Sequence, residues 1–222
     1  MDDELKSSRT ELKRYPMRGH HDFTTIAAIL DEAFVCHVGF VTNGQPYVLP
    51  MVYGRDDRVL YLHGAASGRL LNALASADAI CITVTLVDGL VLARSGMHSS
   101  VNYRSVVVLG TAETVDQSER EKALKIVIDH VVPGRWEALR PIKPDELEQT
   151  TVLRMDIVEA SAKIRTGPPI DDEEDYALPI WAGTLDFPLT KPVAVPDPRL
   201  DPGVPVPAHA SNWRRPARPD ND

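Results

Sequence analysis

The chain has 222 residues, of which 43% are hydrophobic and 25% charged, and its formal net charge is −8. That is enough for one substantial domain, or one domain with an arm, and the composition is that of a globular protein able to bury a core. The acidic balance, with no dominant basic stripe, argues against a nucleic-acid partner, and no run approaches the ~20 apolar residues of a membrane span.

The N-terminal stretch Met1–Arg9 is charged and has no apolar h-region, so no secretory signal is expected. Cys36 and Cys81 both sit inside apolar runs, which reads as two buried reduced thiols and not as a disulfide or a metal site. A cytoplasmic location follows as the expectation.

In chain order, residues 24–34 place Ile26, Ile29, Leu30 and Ala33 on one helical face, with Asp22 near the start. Two β-rich runs, 35–41 and 46–53, flank Asn43-Gly44, a strong hairpin signal. A polar turn at 54–58 leads into a strand at 59–63, and a short helix is expected from Ser67 to about Ser76, with Leu70, Leu71 and Leu74 inward. Strands follow at 79–86 and 91–95, with Asp88-Gly89 as the turn between them. A long strand covers 103–115, in which Gly110 marks a bulge. Residues 118–131 form an amphipathic helix with Ser118 as N-cap, and a last strand runs from about Thr151 to Arg165. Six or more meandering strands with a few helices predict a mainly β fold, a closed or nearly closed barrel with helices outside.

The composition changes near residue 166. The last 56 residues hold twelve of the eighteen prolines, which forbids helix and central strand alike over most of that stretch. Tyr176, Leu178, Ile180, Trp181, Leu185, Phe187 and Leu189 are too apolar for a free linker. The expected organisation is a domain over 1–166, a docked extended arm over 167–190, and a flexible Pro-rich tail over 191–222. The arm can dock on its own barrel or on a partner subunit, and both remain open.

The most informative stretch is Leu60-Tyr61-Leu62-His63-Gly64-Ala65-Ala66-Ser67-Gly68-Arg69-Leu70-Leu71. A strand ends, small residues turn the chain, and a helix starts with Ser67 at the cap and Arg69 in its first turn. Helix N-termini offer free N–H groups to anions, and small residues allow close approach of a phosphate. A cation in the first turn opposes the helix dipole, a conflict that an anionic ligand removes. The alternative is a solvated Arg on a short helix, since this is neither a Walker loop nor a Rossmann fingerprint.

This stretch, with Asn102-Tyr103-Arg104-Ser105 and the following Val106–Ala112, resembles the pyridoxamine 5′-phosphate oxidase-related FMN-binding split-barrel family, in its nitroimidazole-reductase (Nim)-like branch. The similarity extends over about 12–190 and includes 130–136, 163–169 and 171–176. The resemblance implies a homodimer with FMN at the subunit interface. It implies that Val48, Pro50, Met51, Val52 and Tyr53 line the isoalloxazine ring, partly through backbone. His63, Gly64, Ser67, Gly68 and Arg69 would surround the ribityl phosphate, and Asn102, Tyr103, Arg104 and Ser105 would come from near the interface. His63 is the catalytic candidate, beside the flavin; its alternative is a strand-end imidazole bonded to a carbonyl.

Elsewhere His20-His21 lacks a carboxylate or Cys companion, His37 lies within an apolar strand, His98 in a loop and His209 in the tail, so no spacing predicts a metal. Ser95 and Ser99-Ser100 lack a Gly-x-Ser-x-Gly context, which argues against a hydrolase elbow. The function expected from the resemblance is an FMN-dependent oxidoreductase acting on a small organic molecule, nitroreductase-like or pyridoxamine-phosphate-oxidase-like. The rivals are a non-catalytic FMN- or haem-binding protein and an F420-dependent reductase of the same fold.

Overall fold

The computed structural model describes residues 5–201 and 203–216. Part of the charged N-terminal stretch (1–4) and part of the Pro-rich tail (202, 217–222) lie outside the described residues.

After a short 3-10 turn at Pro16–Arg18 come β1 (Gly19–His20), α1 (Phe23–Glu32), β2 (Val35–Thr42), β3 (Gln45–Asp56), β4 (Val59–Ala65) and α2 (Arg69–Ala75). They are followed by β5 (Ile80–Leu92), β6 (Ser100–Gly110), β7 (Glu113–Thr114), α3 (Arg120–Val131), α4 (Pro144–Glu148), β8 (Thr150–Asp156) and β9 (Ala160–Arg165). The arm contributes β10 (Gly183–Asp186), and the tail α5 (Ala208–Ser211).

Local chemistry accounts for the early elements. Asp22 caps α1 by accepting from the Thr25 backbone N–H at 2.8 Å, as a short polar side chain does at an N-cap. Asn43 (φ 51°) and Gly44 (φ 77°) both take left-handed backbone, the geometry of the two-residue turn that matches strand twist. β2 and β3 then pair in register from Val35↔Val52 to Thr42↔Gln45.

The strand order is β1-β9-β6-β5-β2-β3-β4-β8-β7, with β10 added beside β5. The sheet curls around one core that includes Ile26 and Leu30 of α1, Val38, Leu62, Ile82, Val106, Leu153 and Met155. Alternation along each strand sends every second side chain there. The fold is a mainly β split barrel, but it is not closed: β1 and β7 end the order as free edges. α3 lies on the outside, where Gly54 makes close approach possible; a Cβ there would sit 2.6 Å from Val127 Cα.

Several expectations are corrected. Residues 79–86 and 91–95 are not two strands about a turn. β5 runs through Asp88-Gly89 with only a register shift between Val87 and Gly89, because β6 and β10 hold both its sides. The strand expected over 103–115 ends at Gly110, where a Cβ would stand 2.9 Å from Met155 Cε. The strand expected over 151–165 divides: β8 pairs with β4 and β9 with β6. Residues 157–159 cross between them, tied by Ile157 N–H to Arg58 O and Leu109 N–H to Glu159 O. α2 starts at Arg69 with Gly68, not Ser67, at its cap, and α3 starts at Arg120 after a 3-10 turn, with Glu119 and not Ser118 at its cap.

The Trp213 indole N–H donates to Val131 O at 2.7 Å, and the ring meets Phe34 edge-on at 6.3 Å. The last carbonyls of a helix lack intrahelical partners, and the indole satisfies one at the end of α3. The arm docks on its own barrel: β10 pairs antiparallel with residues 89–92 of β5.

Candidate functional site

Register and alternation place one set of side chains on the outer face of the sheet. Val35, His37, Gly39 and Val41 of β2 stand opposite Val52, Pro50, Val48 and Pro46 of β3. The face continues onto β5 through His37↔Thr83 and Gly39↔Cys81. On β6 it continues through Leu109, Val107, Ser105 and Tyr103, the partners of Cys81, Thr83, Thr85 and Val87. Val41 is 59% and Val48 65% exposed, so the apolar surface is open to solvent toward the hairpin end. Contiguous apolar patches of this kind mark interaction or ligand surfaces. The exposed imidazole of His37 stands within it.

Of the residues expected along a flavin ring, Val48, Pro50 and Val52 are on this face. Met51 and Tyr53 point inward. Tyr53 is fully buried, its hydroxyl donates to Leu30 O, and burial pushes its pKa well up. Any contact a ligand makes at positions 51 and 53 from outside would therefore be to backbone.

Near the end of β4, His63 is on the face opposite that of core residue Leu62, whereas Gly64 shares the face of Leu62, where a Cβ would meet Leu71 at 3.2 Å. His63 Nδ1 is buried without a hydrogen-bond partner among the described residues, and burial holds its pKa below the usual imidazole range. A buried polar atom left unsatisfied costs ~1–3 kcal/mol, which a ligand supplying the missing partner would recover. Ser67 and Arg69 are exposed beside it, and Arg69 makes no ion pair among the described residues. A Cβ on Gly68 would come within 2.8 Å of Ala65 O, so the tight turn needs glycine there.

Asn102 and Arg104 are elsewhere, in the wall of a cavity of about 820 Å³ between the β5–β6 ladder and the arm. Arg104, 6% exposed, is held by two carboxylates. Its Nε and Nη2 donate to Asp88 at 2.9 and 2.8 Å, and its Nη1 and Nη2 donate to Glu32. Burial works to lower the guanidinium pKa, but these bonds and charges outweigh it and hold it above its ordinary value. Asn102 Nδ2 donates to Gly167 O at 3.2 Å, and its Oδ1 accepts from Arg165. Phe187 and Leu189 of the arm and Arg215 of the tail complete the wall. Tyr103 and Ser105, between Asn102 and Arg104 in alternation, face the outer surface.

The structure thus distributes the expected residues over the open face with the β4–α2 turn, the cavity under the arm, and, for Met51 and Tyr53, the core. Sequence reasoning missed the roles of His37, Glu32 and Asp88. His37 could have been found from the alternation of 35–41 with 46–52, which leaves the imidazole on the face carrying valines and prolines. Glu32 and Asp88 meet Arg104 across 72 and 16 residues, with no local signal to join them. Among the described residues no group of three or more His, Cys, Asp or Glu side chains could hold a metal ion, and no helix is long and apolar enough to cross a membrane.

The family model for pyridoxamine 5′-phosphate oxidase matches residues 22–164. The structure of the flavocytochrome Anf3 from Azotobacter vinelandii is 44% identical, covering 94% of this chain and 97% of that one, at a TM-score of 0.88. An FAD- and haem-binding protein from Mycobacterium smegmatis is 30% identical over 89% of this chain and 98% of that one, at a TM-score of 0.85. A candidate 5-nitroimidazole antibiotic resistance protein from Bacteroides thetaiotaomicron is 26% identical over 66% of this chain and 86% of that one, at a TM-score of 0.56. No curated protein matches.

Proposed function

The chain belongs to the pyridoxamine 5′-phosphate oxidase family, and from that premise we propose that it is a redox protein of the flavocytochrome type. In this reading it is a homodimer that binds a flavin nucleotide and haem and delivers electrons to a small acceptor. The observation that carries the proposal is the 44% identity with a flavocytochrome along nearly the whole of both chains.

The residues present fit a flavin. Among the described residues, the Nδ1 of His63 without a hydrogen-bond partner, the exposed Ser67 and Arg69 without an ion pair, and the glycine turn between them suit a phosphate-bearing ligand. Arg69 would hold the phosphate, while Val48, Pro50 and Val52 would lie along the ring. Burial lowers the pKa of His63 and so favours its neutral imidazole, which would serve as a hydrogen-bond partner for the flavin. The β5–β6 side of this face would suit haem: His37, an exposed imidazole, stands beside Thr83 and Val107 and would supply a nitrogen ligand to the iron. Bound there, the flavin supplies two-electron and the haem one-electron chemistry. A second copy laid over the face would exclude water from both groups and bury Val41 and Val48. Two free cysteines, Cys36 buried and Cys81 partly so, suit a reducing compartment, and a cytoplasmic setting belongs to the same reading.

The absorbance spectrum of the purified protein, after supply of haem and flavin, tests the proposal. A haem Soret band together with flavin bands is expected, and chromatography of the released flavin separates FMN from FAD. His37→Ala should lose the Soret band and keep the flavin. A chain that takes up neither group overturns the reading.

A further inference from the structure

Among the described residues two arginines are buried, and they are treated differently. Arg104 meets two carboxylates. Arg165, on the neighbouring strand β9 and equally buried at 6% exposed, meets none among the described residues. Its Nη1 donates to Asn102 Oδ1 and to Gly167 O, its Nη2 to Pro168 O, and its Nε has no partner among the described residues. Carbonyl and amide oxygens orient a guanidinium but leave its charge uncompensated, and an unpaired buried charge is costly.

That charge borders a cavity of about 310 Å³ lined by Met17, Arg18, His20, Thr25, Ile164, Arg165 and Thr166. Arg18 is close enough that its charge, after burial, helps depress the Arg165 pKa. Arg18 contacts the Tyr15 ring at 4.4 Å and has no carboxylate partner among the described residues. Among the described residues the acid facing this group is Asp22, near His20 and already engaged in capping Thr25. Two arginines, a histidine and two threonines thus line one small polar cavity, in a protein whose net charge is −8. Paired guanidiniums match the geometry and charge of a dianionic oxygen acid.

We propose that the cavity bounded by Arg18, His20, Thr25 and Arg165 is a binding site for a phosphate group. It is separate from the β4–α2 turn. The ligand is free phosphate or a phosphate ester, and the chemistry recognised is the same.

Calorimetric titration of the purified protein with inorganic phosphate, against chloride at matched ionic strength, tests this directly. Saturable binding is expected, weakened by about ten- to hundred-fold in Arg18→Ala, the loss of one charge-assisted contact. Arg140→Ala, at an exposed pair with Glu146, should bind as the parent does. Arg165→Lys should also weaken binding; if it fails to fold, Arg18→Ala decides alone, because Arg18 has no side-chain hydrogen bond or ion pair among the described residues. AMP binding more tightly than phosphate identifies an ester ligand, and equal affinity identifies phosphate itself; both support the site. Absence of saturable binding by the parent, or equal affinity in Arg18→Ala, overturns it.

Discussion

Arg104 on β6 and Glu32 in the last turn of α1 form a two-pronged ion pair, with Nη1 and Nη2 each on a separate carboxylate oxygen. Asp88, at the irregularity of β5, holds the remaining edge of the same guanidinium. The cluster ties a helix end to two strands under the arm. Arg104→Leu leaves Glu32 buried and unpaired, and should destabilise the fold by ~3–5 kcal/mol. Glu32→Gln, which keeps a hydrogen-bonding group and leaves Asp88 on the guanidinium, should cost ~1–3 kcal/mol. Urea unfolding of both variants checks the order; an Arg104→Leu protein as stable as the parent would show the cluster to be incidental.

Two imidazoles make stability depend on pH. Burial holds the pKa of His63 and of His130 below the ordinary value, although the His130 Nε2–H bond to Ala33 O, 2.8 Å, works against that shift. The unfolded chain therefore takes up protons below pH ~6.5 that the folded chain refuses. The stability these groups contribute is complete above pH ~6.5 and falls as pH drops toward their folded pKa values. The slope is at most ~1.4 kcal/mol per pH unit for each group, and less for side chains in partial contact with solvent. His130→Gln and His63→Gln should each flatten the fall between about pH 5 and pH 7. A parent and double variant with parallel curves would place the acid sensitivity in the carboxylates.

What could be read from sequence was local. The hairpin at Asn43-Gly44 and the helices α1 and α3 follow from turn chemistry and periodicity, and the structure has all three. Asp88-Gly89 misleads because the same dipeptide suits a turn or a bulge, and only β6 and β10 on either side decide for the bulge. Residues 151–165 are uniformly strand-like, so nothing local marks where β8 leaves one half of the barrel for β9 in the other. The face bearing His37 was legible as alternation. The Glu32–Arg104–Asp88 cluster was not, because charge partners far apart in sequence carry no periodic signal. Trp213 was hidden by the prolines around it.

If Arg69 holds a flavin phosphate, its loss should discriminate between flavins. Arg69→Ala should weaken a flavin nucleotide by about ten- to hundred-fold, the loss of one charge-assisted contact, and leave riboflavin affinity unchanged. Arg69 is exposed and has no ion pair among the described residues, so folding should not change. Quenching of flavin fluorescence on titration with the apoprotein measures both affinities. Equal losses for nucleotide and riboflavin would move Arg69 away from the phosphate.

The arm is fastened at two points that can be released separately. Near its start, Asp171 accepts from the Arg94 backbone N–H and Nη1, both at 2.9 Å, and Arg94 stacks over Tyr176 at 4.8 Å. Further on, β10 pairs with β5 from Gly183↔Leu92 to Asp186↔Gly89, and Phe187 N–H donates to Asp88 O at 2.9 Å. The second fastening needs glycine at 89, since a Cβ there would lie 2.7 Å from Leu185 O. Strand pairing cannot tolerate that approach, so Gly89→Ala should push β10 away at a cost of ~1–3 kcal/mol, the usual cost of overpacking. Amide hydrogen exchange over 183–187 should speed up by about ten- to hundred-fold, as a local opening of that size implies. Protection over 168–178 should persist, because Asp171 and Tyr176 are untouched. Asp171→Asn should do the reverse, loosening 168–178 and sparing β10. Since Phe187 and Leu189 wall the cavity beside Arg104, Gly89→Ala should also open that cavity to solvent, seen as faster exchange at Asn102 and Arg104. Unchanged exchange over 183–187 in Gly89→Ala would mean that β10 is held by something other than its ladder with β5.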